Sequence, residues 1–173
     1  KVLIYGASGS VGTFAVQIAR YFGAEVTAVC STGKIDITRS LGATHVIDYT
    51  KRDFTKSGLH YDMILAVNGY HSIFDYKRAL SPRGIYIMVG GNTAQLYQAL
   101  FLAPWLSIVG SRKMRALSSK PNQEDLLFLK ELLESGKIRP VIDRCYPLNE
   151  VPEAIRYLET GHAQGKVVIT IEA

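Results

Sequence analysis

The small residues Gly6, Ala7, Ser8, Gly9, Ser10, Val11 and Gly12 stand between an apolar run, Val2 to Tyr5, and a stretch of helical period. A turn placed between strand and helix offers the bare N–H groups of the helix's first turn, and its dipole, to an anion such as a phosphate. Gly9 has no side chain, so the backbone of Ser10 and Val11, with Ser8 beside them, can approach a pyrophosphate closely. Gly12 lets the helix pack against the strand. The spacing departs by one residue from the plain GxGxxG form, with Ala7 and Ser8 where the first glycine would stand. A glycine triplet alone is a weak signal, but inside a βαβ unit it points to a dinucleotide.

The residues after the second strand select which dinucleotide. A carboxylate that accepts from a ribose is expected about 20 residues after the motif. Here Cys30 closes the strand, followed by Ser31, Thr32 and Lys34. The two hydroxyls can donate to a 2′-phosphate, and the ammonium can pair with its charge. One charge-assisted contact of about 1.5–3 kcal/mol favours the phosphorylated nucleotide about 10- to 150-fold. The expected cofactor is therefore NADP(H).

These groups need a scaffold. Apolar runs that read as strands alternate with helical segments, which implies a parallel sheet in an α/β fold. Strands are expected at Val2 to Tyr5, Val26 to Val29, His45 to Ile47, "YDMILAVNG", "IYIMVGG" and "LSIVG". Helices are expected over about Ser10 to Phe22, Ile35 to Leu41, Ile73 to Leu80 and Gln95 to Leu102. The first helix carries Val11, Ala15, Ile18, Ala19 and Phe22 on one face. Six strands with helices on both faces match the doubly wound Rossmann fold. "SRKMRALSSKP" reads as a basic loop, and Asn122 caps an amphipathic helix that closes at Gly136. A C-terminal β-α-β extension follows, which divides the chain into residues 1–136 and 137–173.

A length of 173 residues with 47% hydrophobic content and a net charge of +5 fits a globular domain that binds an anionic ligand. No apolar run approaches the roughly 20 residues of a bilayer span, and the opening residues do not read as a signal peptide. The opening on a core strand, without Met or leader, reads as a piece of a longer protein. Two distant cysteines, Cys30 and Cys145, suit a reducing compartment and a cytoplasmic protein.

Four stretches carry a family resemblance: "GASGSVG", "AVCSTGK", "LGATHVIDYTKRDF" and the tail "GKIRPVIDRCYPLNEVPEAIRYLETGHAQGKVVITI". Together they resemble the medium-chain dehydrogenase/reductase superfamily, and within it the zinc-independent NADPH:quinone oxidoreductases. The resemblance implies hydride transfer from NADPH to a quinone or an α,β-unsaturated carbonyl. It also implies a GroES-like substrate domain, absent here, against which residues 137–173 would pack. Lys34 and Tyr49 would approach the 2′-phosphate, and Val89, Gly90 and Gly91 would lie along the nicotinamide. Asn68 and Gly69 occupy the rim where such sheets bind ligands. Many relatives carry an aspartate where this chain has Ala66, so no role of that acid transfers. A homodimer through the sheet edge at "LSIVG" is expected, with this piece alone binding cofactor but turning over little.

Catalytic machinery is not evident in the sequence. The four histidines are scattered, no tyrosine has a lysine four residues on, and Cys and His do not cluster for zinc. Arg112, Lys113, Arg115 and Lys120 lack the interleaved aromatics of a nucleic-acid platform. Three alternatives stay open: an NADP-dependent alcohol dehydrogenase of the same superfamily, a dinucleotide-binding sensor or scaffold without catalysis, and an RNA-binding use of the basic face.

Overall fold

The computed structural model describes residues 1–91, 93–108 and 111–171. The first half of the chain runs β1 (Val2–Tyr5), α1 (Gly12–Tyr21), β2 (Val26–Cys30), α2 (Ile35–Ser40), β3 (His45–Asp48), β4 (Tyr61–Gly69), α3 (Ile73–Ala79) and β5 (Leu80–Gly91). It continues through α4 (Thr93–Tyr97), α5 (Ala103–Ile108), β6 (Lys113–Ala116), α6 (Gln123–Glu134), β7 (Ile142–Pro147), α7 (Val151–Glu159) and β8 (Lys166–Thr170). A 3₁₀ turn, Thr32–Lys34, leads into α2, and a π-helical turn, Gln98–Leu102, joins α4 to α5.

Six strands form one parallel sheet in the order β3-β2-β1-β4-β5-β6. The sheet is the doubly wound α/β arrangement, and its order reverses between β1 and β4, where ligands bind such sheets. The strands on either side of that point are rich in apolar residues, which they bury where helices pack on the sheet. Leu3, Val26, Ala28, Val29 and Ile64 are fully buried. Strands β7 and β8 pair in parallel across α7, which gives the C-terminal β-α-β extension.

Two expectations need correction. Leu106 to Ile108 of "LSIVG" belong to α5, while Val109 and Gly110 lie outside the described residues. The sixth strand is Lys113–Ala116, inside the run read as a basic loop, and it pairs with Ile85 to Met88 of β5. An edge strand has to turn only one residue inward. Met114 is buried while Lys113, Arg115 and Ala116 are exposed. Charges on an exposed edge discourage further pairing and hide the strand from a search for apolar runs. Ser107 fixes the junction, its hydroxyl donating to the Ala103 carbonyl and accepting from the Met114 amide at 2.8 Å.

Helix α1 presents its apolar stripe differently from a simple core face. Thr13, Val16 and Gln17 are the buried side chains. Val11, Ala15, Ile18, Ala19 and Phe22 share a face as expected, but that face lines an apolar groove of about 490 Å³ with Met63, Leu65, Ile87, Val89 and Leu117.

The segment after Gly136 returns to the sheet domain. The Gln17 amide bonds both ways with the Arg139 backbone, each at 2.9 Å.

Candidate functional site

The site is built on the turn between β1 and α1. Gly6 adopts φ +74°, and a Cβ there would lie 2.2 Å from the Val67 carbonyl oxygen, so only glycine fits this close against β4. The Gly9 amide donates to the Gly6 carbonyl at 3.2 Å, and Thr13 donates to Gly9 at 3.0 Å. The residue at the helix N-cap is Val11, whose side chain cannot accept from the first-turn amides. The donors at this end of the helix therefore have no side-chain cap, and Ser10 and Val11 line the space above the turn. That is the observation by which the turn fits a diphosphate.

A cavity of about 340 Å³ opens there, at the β1/β4 switch. Ser8, Gly9, Ser10 and Val11 form its floor, and Ser31, Lys34, Tyr49 and Asn68 line it. Tyr49 is about half exposed and stacks on Tyr5, with ring centroids 6.3 Å apart at 24°. Asn68 sits in the left-handed region at φ 55°, a conformation asparagine tolerates better than most residues.

The other expected site residues lie elsewhere. The Thr32 hydroxyl turns toward Asp48 and Thr50 and is not a wall of the cavity. Asp48 closes β3 with its side chain 8% exposed. The hydroxyls of Thr32 and Thr50 hold its carboxyl below the usual range. Val89 faces the apolar groove. Gly69, Gly90 and Gly91 are not cavity walls either. A Cβ on Gly69 would meet the Tyr76 hydroxyl at 2.1 Å, and one on Gly91 would meet the Gln95 side chain at 2.2 Å.

The sequence reading did not anticipate part of this cavity. Val67, Tyr70, Gly161 and Ala163 also line it. The last two come from the turn between α7 and β8, which reaches the phosphate turn through a Gly165 amide donating to the Ser8 carbonyl at 3.0 Å. Lys34 Nζ donates to the Ala163 carbonyl at 3.2 Å. Positive φ at Gly161 and Gly165 marks a tight turn in the tail, but a contact across more than 150 residues leaves no local signature.

The cavity walls supply hydroxyl, ammonium and amide groups suited to binding. Burial pushes the Tyr5 hydroxyl up to about 12 and raises the Cys30 thiol. His71 packs edge-on against Tyr5, Phe54 and Tyr76, with centroids 4.8 to 6.0 Å away.

Residues 41–169 match the family model described as zinc-binding dehydrogenase. The chain belongs to this family, within the medium-chain dehydrogenase/reductase superfamily. Among curated relatives of this superfamily, the mitochondrial NAD(P)H oxidoreductase RTN4IP1 of Mus musculus is 35% identical over 189 residues, covering 99% of this chain and 48% of the relative. The 2-methylene-furan-3-one reductase of Solanum lycopersicum is 37% identical over 173 residues, covering 98% of this chain and 40% of the relative. The quinone oxidoreductase from Coxiella burnetii superposes with a TM-score of 0.86 at 28% identity, covering 99% of this chain and 52% of that one. The chain thus spans about half the length of these dehydrogenase/reductase relatives. The zinc of the family's description does not fit the residues present: no three His, Cys, Asp or Glu side chains gather around a common point among the described residues.

Proposed function

We propose that this chain is the NADP(H)-binding part of an oxidoreductase that passes hydride from NADPH to a quinone or an α,β-unsaturated carbonyl. The observation that carries the reading is the convergence of the phosphate turn and Lys34 on one cavity at the sheet's switch point. Its support from relatives is that those named above are an NAD(P)H oxidoreductase, a 2-methylene-furan-3-one reductase and a quinone oxidoreductase.

The nucleotide, when bound, supplies the hydride chemistry itself. This chain's residues bind and orient. The amides above Gly9 hold the diphosphate. Ser31 and Lys34 receive the 2′-phosphate, and Tyr49 flanks the adenosine end. Asn68 borders the nicotinamide, while Gly69, Val89, Gly90 and Gly91 stand outside the cavity wall. The wall that holds the acceptor belongs to the length of the relatives that this chain does not span, so the chain alone binds nucleotide and turns over little. Neither cysteine is in a disulfide, which suits a reducing compartment, the cytoplasm in our reading. A homodimer is part of this reading, but the charges on β6 disfavour pairing through that edge; light scattering at rising concentration tests whether the chain associates.

Calorimetric titration with NADPH and NADH side by side tests the binding function. NADPH is expected to bind at least tenfold tighter, and Lys34→Ala to erase most of the difference. Equal affinities in the unaltered chain would remove the proposal.

A further inference from the structure

Lys34 has a partner at the cavity wall. Its ammonium donates to the carbonyl of Ala163, 129 positions away, and both residues line the same cavity. The turn that carries Ala163 is itself held. Asp143 Oδ2 on β7 accepts the Gln164 amide at 2.9 Å and the Tyr157 hydroxyl of α7 at 2.6 Å. On the far side of Gln164, Gly165 is buried and donates to Ser8 in the phosphate turn.

We propose that Asp143 and Tyr157 are positioning residues that fix the turn 161–165, so that the Ala163 carbonyl holds the Lys34 ammonium ready for a nucleotide 2′-phosphate. The inference rests on the dinucleotide reading above and deepens it. A lysine on a flexible stem loses rotamer freedom when it grips an anion. One already held by a carbonyl loses less and keeps two N–H donors for the phosphate. The charged groups facing Asp143 are Arg144, whose guanidinium lies 3.9 Å over the Tyr157 ring, and Lys34. Burial alone would raise the Asp143 pKa, but the Tyr157 hydroxyl, the Gln164 amide and these two cations together hold it below the usual range. The acceptor is therefore ionised at neutral pH, when the two bonds are needed.

The test is calorimetric titration of NADPH and NADH into the unaltered chain and into Lys34→Ala, Asp143→Ala, Asp143→Asn and Tyr157→Phe. Asp143→Ala is expected to weaken NADPH about tenfold and NADH less than about twofold. Asp143→Asn, which keeps an oxygen to accept from Gln164, is expected to retain most of the preference. Adding Asp143→Ala to Lys34→Ala should change neither affinity further. Tyr157→Phe removes a single hydroxyl and carries the same comparison at about threefold, should Asp143→Ala unfold the chain. Equal weakening of both nucleotides, an asparagine variant as poor as alanine, or an additive effect on Lys34→Ala would overturn the positioning role. A preference that needs Lys34 but ignores Asp143 and Tyr157 overturns that role alone, whereas no preference in the unaltered chain overturns the dinucleotide reading with it.

Discussion

Gly12 lies so close over Gly6 that a Cβ on it would stand 2.1 Å from the Gly6 carbonyl oxygen and 2.7 Å from the Ala7 Cα. Both neighbours are backbone and cannot swing aside. Gly12→Ala is therefore expected to destabilise the chain by about 1–3 kcal/mol or more, read from the denaturant midpoint. Gly9 is the contrast. A Cβ there meets only the Gly6 oxygen at 3.6 Å, an ordinary contact. Gly9→Ala should fold with nearly unaltered stability yet bind NADPH at least tenfold more weakly, because its methyl occupies the phosphate approach. Comparable losses of stability in both variants would contradict this division of roles.

Asp48 gives a pH dependence with a definite sign. Its carboxyl ordinarily titrates at 3.8 and is held lower in the folded chain, first by Thr32 and then by Thr50. A depressed folded pKa means stability that is fully present above 3.8 and is lost as pH falls through the folded value. Thermal melting of the unaltered chain and Asp48→Asn, followed from about pH 6 down to about pH 2.5, should show two curves that approach each other at the acid end. Curves that stay parallel throughout would rule out this role for Asp48.

The sequence revealed most where a local pattern and a tertiary role coincide. Strands β1, β2 and β4 carry enough apolar residues to read as strands, and the phosphate turn is legible because it sits between a strand and a helix and because Gly12 is required by its close approach to Gly6 and Ala7. Strand β6 escaped because an edge strand needs a single inward residue, Met114, among charged neighbours. Thr32 was read as a ligand contact because its type allowed it. The acid that occupies it, Asp48, lies on the adjacent strand, 16 positions on. Ala163 was invisible for a related reason: a backbone carbonyl carries no residue-type signal, and its partner Lys34 is distant in the chain.

Asn68 holds φ 55° at the cavity end of β4. Most side chains pay about 1–2 kcal/mol in that region, whereas glycine enters it freely. Asn68→Gly should leave the melting temperature nearly unaltered, and Asn68→Ala should lower stability by about 1 kcal/mol. Equal stability of the alanine and glycine variants in denaturant titration would show that the left-handed backbone is not what asparagine is tolerated for.

Helix α6 separates global stability from nucleotide binding. Its start depends on Asn122, whose side-chain oxygen accepts the Asp125 amide at 2.8 Å. Its body is anchored away from the cavity, with Leu132 buried and Phe128 packed on Tyr21 and Phe22 at 6.2 and 6.1 Å. Loss of such a cap costs about 1 kcal/mol, which is about 2–4 °C in a chain of this size. Asn122→Ala should therefore melt earlier by that amount while binding NADPH as the unaltered chain does, because no wall of the cavity comes from α6. A cap variant that weakened NADPH severalfold at a temperature where it is fully folded would mean that α6 is coupled to the phosphate turn through α1, against which Phe128 rests.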